Sequence, residues 1–383
     1  MNPEAFEQLI TPCLLLDKDI LERNIERMHN KALSHDVQLR THLKTAKSVD
    51  VAALLKKYGH TGVTVSTLTE AEYFAEAGYD DILYAVSIEP SKFLRVKKLY
   101  QKGIKLKVIL DDVEVARKLA EWASAETCPV ECLIEIDSDG HRAGIAADDA
   151  QLLVLARILA EASHVTLSGV MTHGGGAYYC ADMQQARQHA ELEREQCVKA
   201  AERIRQAEIH CPIISIGSTP TVVAAQSFEN VTEIRPGVYV FFDLFQMGLG
   251  VCSMDDIALT VLARVIGHHR KQNRIFIDAG GLALSKDRST CDQKQDFGYG
   301  LVCSVDAKPI LSNLIVSQVN QEHGVINTTD EAMFDILAIG SLVRIMPNHA
   351  CMTAAAYNNY FVVDGEGLEV SCWNRCNGWS QWC

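Results

Sequence analysis

Short apolar runs alternate with longer amphipathic stretches over the first two-thirds of the chain. The runs VQLRTHL (37–43), TGVTVS (61–66), DILYAV (81–86), KLKVILD (105–111), VECLIEID (130–137), VTLSGVMT (165–172), PIISIG (212–217) and VTEIRP (231–236) read as strands. They are short and bounded by turn signals, as strands of a buried parallel sheet are. Between them lie helical patterns such as SVDVAALLKKYG, ending at Gly59, and TLTEAEYFAEAG, ending at Gly78. The second opens on a capping-box pair, Thr67 and Glu70. A long charged helix is expected from about Asp182 to Glu208. Eight β/α steps are what a closed parallel barrel requires, and each interval is long enough for a crossover helix. The expected fold is therefore an α/β protein built on a (β/α)8 TIM barrel. An open doubly wound sheet is the alternative, but such sheets usually stop at five or six strands.

After Gly250 the texture changes. ALTVLARVIGHH, NRIFIDAGG, NLIVSQVNQEHGVI, SLVRIMPN and NYFVVDG are β-like runs without regular helices between them. The expected division is a barrel over 18–250 and a β-rich domain over 251–383. The strand-like opening TPCLLLD (11–17) precedes the first barrel helix and is assigned to the second domain.

The 383-residue length suits a barrel of about 250 residues plus such a domain. With 48% hydrophobic and 22% charged residues the chain is an ordinary soluble globular protein. No apolar run approaches the roughly 18 residues of a membrane helix. The opening MNPEAFEQLITP is acidic and does not resemble a signal peptide. A net charge of −13 argues against nucleic acid and anionic membranes as partners. Thirteen cysteines without a CxxC spacing read as reduced thiols of a cytosolic protein.

A barrel builds its site from the loops at the C-terminal ends of its strands. Those ends carry His42-Leu43-Lys44-Thr45, Asp137 with Gly140-His141-Arg142, His173 with Gly174–Gly176 and Tyr178, Gly217-Ser218-Thr219, and Arg235-Pro236-Gly237-Val238-Tyr239. Lys44 at a strand end projects into the mouth, where burial lowers an amine's pKa and makes it a nucleophile. A surface lysine is the plain alternative. Arg142 alone fits a turn cap, and His173 fits a core histidine equally well. Gly217-Ser218-Thr219 before a helix offers N–H groups and hydroxyls to a phosphate, although one such turn is a weak signal. In the second domain His349 and Cys351 stand two residues apart. In an extended segment both face one side and can share a metal, zinc best suiting the donors. A buried cysteine beside a hydrogen-bonded histidine is the plainer reading.

In combination these stretches resemble the fold-type III pyridoxal 5'-phosphate (PLP) enzymes, which share the alanine racemase barrel. They are most similar to the D-threonine aldolase and D-serine dehydratase group. The resemblance is carried by TPCLLLD, RTHLKTAKS (40–48), IDSDGHRAGI (136–145), THGGGAY (172–178), IGSTPT (216–221), TEIRPGVYVFFD (232–243), IDAGGLALSKD (277–287) and PNHAC (347–351), in the family's order across nearly the whole chain. It implies Lys44 as the Schiff-base and catalytic lysine and Arg142 beside the cofactor's phenolic oxygen. His173 and Tyr178 would lie close to the cofactor. Gly217, Ser218, Thr219, Gly237 and Tyr239 would form the phosphate turns, and His349 and Cys351 the metal pair. Two positions depart from the pattern: Ala46 and Gly175 stand where the group often has histidine.

The implied activity is a PLP- and divalent-metal-dependent lyase on a D-3-hydroxy amino acid, a dehydratase or an aldolase. Zinc is the expected metal, with manganese as the alternative. The cysteine ligand favours dehydration, and a homodimer is expected. A racemase on the same scaffold and a non-catalytic PLP-binding protein are the competing readings. The first needs two opposed bases where a metal-type pair stands, and the second is typically a small barrel without a second domain.

Overall fold

The computed structural model describes residues 4–364 and 370–379. They form two compact units, one of Arg27–Gly237 with the C-terminal Gly378 and Trp379, the other of the residues up to Glu26 with Val238–Asn377.

In the first unit eight strands lie parallel in one curled sheet. They are Gln38–Leu39, Val63–Val65, Asp81–Ser87, Lys105–Leu110, Val130–Asp137, Val165–Thr172, Ile213–Ile216 and Glu233–Ile234. Each falls within one of the eight apolar runs or overlaps it by all but a residue. Parallel neighbours connect them in order, and Gln38–Leu39 pairs with Glu233–Ile234. The ring closes through a bridge between His42 and Thr64. There the Leu43 N–H donates to the Thr64 carbonyl at 2.8 Å, and the Thr64 N–H to that of Thr41 at 3.1 Å. The eight-stranded barrel is thus realised, and the open-sheet alternative falls away.

Charge ties the closing seam as well. Arg40, on the first strand, reaches Glu233 of the eighth at 2.5 Å and Asp81 of the third at 2.7 Å, and Lys107 shares Asp81 at 2.7 Å. A buried guanidinium needs such partners to be tolerated at all. Leu83, Ile109, Leu133 and Met171, from four successive strands, form a buried apolar cluster.

The helices start and stop where the sequence signals them. Val49–Lys57 ends before Gly59, which has φ +80°. Leu68–Glu76 ends before Gly78, with φ +83°. Its cap, Thr67, accepts the Glu70 N–H at 3.0 Å, while Glu70 accepts the Ser66 N–H at 2.9 Å. The return bond thus comes one residue earlier than in a strict capping box. The long charged helix is Met183–Gln206, capped by Asp182.

The second unit holds a mixed sheet in the order Val316–Val319, Gly324–Asn327, Arg274–Ile277, Leu259–His269, Cys13–Asp17, Asn359–Val363, Val370–Asn374. Leu342–Met346 also pairs with Leu259–His269 and carries Leu301–Cys303 on its other side. Cys13–Asp17 is wholly buried and runs antiparallel to Leu259–His269 and parallel to Asn359–Val363. The 12 described cysteines are all unbridged. No helix among the described residues is long and apolar enough to cross a membrane.

Candidate active site

The first barrel strand passes through Arg40–His42 into a tight turn, closed by the Lys47 N–H on the Leu43 carbonyl at 2.7 Å. Lys44 stands in this turn, half-buried. Two imidazoles flank its charge. His42 is buried, with its ring close enough to the Thr64 backbone to be acted on by it. His173, just beyond the sixth strand, lies likewise against the Gly217 backbone. Burial first, and then the charge of Lys44, push both well below the ordinary histidine pKa, with Arg235 adding to the effect. Both rings are therefore neutral at physiological pH. Each keeps a buried nitrogen without a partner: Nδ1 of His42 and Nε2 of His173.

Arg142 is exposed in the loop after the fifth strand, and its charge also acts on His173. It packs beside Gly175, where a Cβ would meet its Cγ at 3.1 Å and the Cβ of His141 at 3.0 Å. The absence of a side chain at 175 thus leaves room for Arg142. Tyr178 lies in a short 3-10 turn, Gly176–Tyr179, its ring centroid 6.4 Å from that of His173.

Ser218 caps the helix Thr219–Ala224 in a reciprocal capping box with Thr221. Its hydroxyl is committed to that cap, whereas Thr219 accepts the N–H of Gly237 at 3.3 Å. Gly237 in turn lies against the lysine turn, since a Cβ there would stand 2.7 Å from the His42 carbonyl oxygen. The turns after the first, seventh and eighth strands thus converge. Tyr239, two residues on, is fully buried in the 3-10 turn Val238–Val240 of the other unit.

This mouth suits an anionic cofactor. Lys44, Arg142 and Arg235 supply cationic charge, the glycines bare the backbone, and the unpaired nitrogens of His42 and His173 need polar partners. Arg235, 2% exposed, donates to Ser215 Oγ and the Thr172 carbonyl. Composition alone gave it no role, because only its inward direction in the closed barrel makes it a site residue.

In the second unit His349 and Cys351 meet, but not through an extended segment. His349 is extended (φ −139°, ψ 101°), and the chain then turns into the short helix Ala350–Ala354. The expectation of a shared strand face is corrected here: alanine-rich ACMTA favours a helical turn, and Asp243 accepts its first N–H, that of Ala350, at 2.9 Å. The side chains still touch, the Cys351 sulfur bonding to the His349 ring.

Asp287 Oδ2 holds His349 Nδ1 at 3.0 Å. Burial alone would lower the imidazole, but Asp287 and Cys351 override it and raise the pKa to about 11. Burial likewise works to raise Asp287, yet His349 and Ser289 hold it down at about 2. Asn348, 3% exposed, donates to the carbonyls of Asp287 and Gly298 and so fixes the segment. A carboxylate on one ring nitrogen fixes the ring and frees the other nitrogen for a metal. The donor set therefore fits a metal with two protein ligands. Among the described residues no three metal-type side chains are placed to hold one ion together. Asp287 lies in the stretch 277–287, but its pairing with His349 across 62 residues leaves no local signal in the sequence.

Residues 16–244 match the alanine racemase N-terminal domain, and residues 258–363 a putative serine dehydratase domain. The chain is 44% identical over 375 residues to D-threo-3-hydroxyaspartate dehydratase of Delftia sp. (strain HT23), covering 97% of this chain and 98% of the relative. It is 28% identical to D-serine dehydratase of Dictyostelium discoideum, with 99% of each covered. The solved structure of the Delftia enzyme superposes with a TM-score of 0.95 at 43% identity, over 98% of this chain and 100% of that one. Its histidine-to-alanine variant and its cysteine-to-alanine variant, the latter solved in the metal-free form, give the same TM-score, and the two altered positions are two residues apart. The chain belongs to the alanine racemase-like, fold-type III family, in the branch that joins the racemase-type barrel to a serine dehydratase domain.

Proposed function

We propose that the protein is a PLP- and divalent-metal-dependent lyase that dehydrates a D-3-hydroxy amino acid, with a 3-hydroxyaspartate-type substrate the first to test. A lyase on D-3-hydroxy amino acids is the activity its full-length relatives carry. The observation that carries the dehydratase reading is the His349–Cys351 pair, oriented by Asp287. The metal-free cysteine variant of the Delftia enzyme supports a metal role for the same type of pair.

When bound, PLP supplies an electron sink for the substrate's α-carbon, and the metal a Lewis acid for the departing hydroxyl. Lys44 would hold the cofactor covalently through Nζ, and the same amine would serve as the base for the substrate's Cα proton. The neutral rings of His42 and His173 keep the charge of Lys44 free of a competing cation. Arg142 would supply a cationic contact to the cofactor's phenolic oxygen. His173 and Tyr178 line the cofactor, and Gly217, Ser218, Thr219, Gly237 and Tyr239 hold its phosphate. His349 and Cys351 hold the metal, zinc suiting this pair better than manganese. The homodimer and a reducing compartment, which the unbridged cysteines support, belong to the same proposal.

The test is incubation with PLP, zinc or manganese, and a panel of D- and L-3-hydroxy amino acids. Ammonia and a 2-oxo acid from the D-substrates are the expected products. Glycine and an aldehyde would replace the dehydratase by an aldolase, and the enantiomer alone would replace both by a racemase. Borohydride reduction is expected to fix the cofactor on the peptide containing Lys44; label on another lysine would remove Lys44 from its role.

A further inference from the structure

Glu193 is a carboxylate the mechanism above does not use, and it is 1% exposed. It projects from the long helix Met183–Gln206 beneath two loops of the barrel mouth. Its Oε1 accepts the N–H of Gly174 at 2.8 Å. The N–H of Gly217 and the hydroxyl of Thr221 lie close enough to act on the same carboxylate, although Oε2 completes no well-aligned bond. Gly174 follows His173 directly, and the backbone of Gly217 lies close enough to the His173 ring to act on it. Glu193 thus stands between the His173 loop, which it holds through Gly174, and the turn that begins at Gly217. One turn earlier on the helix, His189 covers Gly176, where a Cβ would come within 2.4 Å of its Cε1. Asp139 accepts the Gly176 N–H at 2.7 Å from the other side.

A buried carboxylate is costly even with the charge of Arg235 acting on it, and a merely structural position would be filled by an apolar side chain at less expense. What the carboxylate provides is acceptor capacity just beyond the point where the two loops leave the paired strands Val165–Thr172 and Ile213–Ile216, where the sheet no longer holds them together. We propose that Glu193 is a positioning residue that locks the His173 loop to the Gly217–Thr221 turn, and so sets that turn's geometry for the phosphate of the cofactor. The proposal rests on the reading of the barrel mouth as a PLP site.

Removing the clamp should be felt through the phosphate and not through the aldehyde. The experiment titrates the full-length apoprotein with PLP and separately with pyridoxal, which carries the same ring and aldehyde without the phosphate. Thermal midpoints are recorded alongside. Wild type is expected to prefer PLP. Glu193→Ala is expected to lose about tenfold in PLP affinity, the scale on which an outer supporting residue acts, with pyridoxal affinity within about twofold of wild type. Glu193→Gln, which keeps the shape and one acceptor oxygen, should recover most of the preference. An unchanged PLP-to-pyridoxal ratio in Glu193→Ala, with only a lowered midpoint, would overturn the proposal. If Glu193→Ala does not fold, Glu193→Asp decides, because it draws the carboxylate back by one methylene. Its ratio should fall several-fold, and an unchanged ratio overturns the proposal equally. A wild type that binds both compounds alike would overturn the PLP reading itself, and this proposal with it.

Discussion

Gly237 carries no side chain because there is no room for one: a Cβ would stand 2.7 Å from the His42 carbonyl oxygen, a backbone atom that moves only with the lysine turn. Gly237→Ala should therefore shift that turn, at a cost of about 1–3 kcal/mol typical of overpacking. The expected result is a lower thermal midpoint and a weaker visible cofactor band, whereas Gly267→Ala, where a Cβ meets nothing within 4 Å, should move neither. The neutral imidazoles make a second prediction. His42 and His173 have folded pKa values below the unfolded value of about 6.5. Below that pH the unfolded chain binds the extra protons, so their contribution favours unfolding as pH falls through about 6.5 and is absent above it. His42→Gln should flatten the fall in apoprotein stability between pH 7.5 and 5.5 relative to wild type. Parallel denaturation curves for the two proteins would show that burial of His42 has no such effect. Lys44, Arg142, His173 and Gly217 were legible as candidates because strand ends share one rim, and Arg235 was placed on that rim without a role. Glu193 and Asp287 were not legible, since they act across 19 and 62 residues of sequence.

The short helix Thr219–Ala224 is an element that needs help at both ends. Ser218 and Thr221 satisfy its N-terminus. At the other end Lys31 reaches in from the helix Lys18–Ser34 and donates to the carbonyls of Val223 and Ala225 at 3.1 and 3.0 Å. Burial lowers the Lys31 pKa, but its charge suits the negative end of the helix. Lys31→Met keeps the stem and removes both bonds, so a loss of about 1–3 kcal/mol is expected in urea denaturation, with weaker PLP binding through the Gly217–Thr221 turn. A stability loss without a change in cofactor affinity would separate this helix from the binding turn. The barrel elements were readable because parallel strands buried on both faces appear as unbroken apolar runs and their helices end on glycines such as Gly59 and Gly78. The local shape at His349–Cys351 was not. Pattern alone continued the strand, while Asp243, more than a hundred residues upstream, accepts the first N–H of a helix instead.

At the scale of the whole molecule, the residues proposed for the cofactor, other than Tyr239, fall in the unit Arg27–Gly237, and the pair proposed for the metal falls in the unit containing Val238–Asn377. Their defects should then separate. Lys44→Ala is expected to lose the cofactor's visible band and all turnover while still binding one divalent ion, measured by metal analysis after gel filtration. His349→Ala and Cys351→Ala are expected to lose the ion and turnover while keeping the visible band. Asp287→Asn replaces the carboxylate that orients the ring by a weaker acceptor, and should cost 10- to 100-fold in metal affinity, about the usual scale for such a partner. Chelation should stop turnover by wild type, with zinc or manganese restoring it. Both ligands must shed protons to bind the metal, so its affinity should fall with pH. The decisive outcome is the chelated wild type. Full dehydration by metal-free enzyme would leave His349 and Cys351 without a catalytic part, and the lyase reading would then rest on the barrel mouth alone.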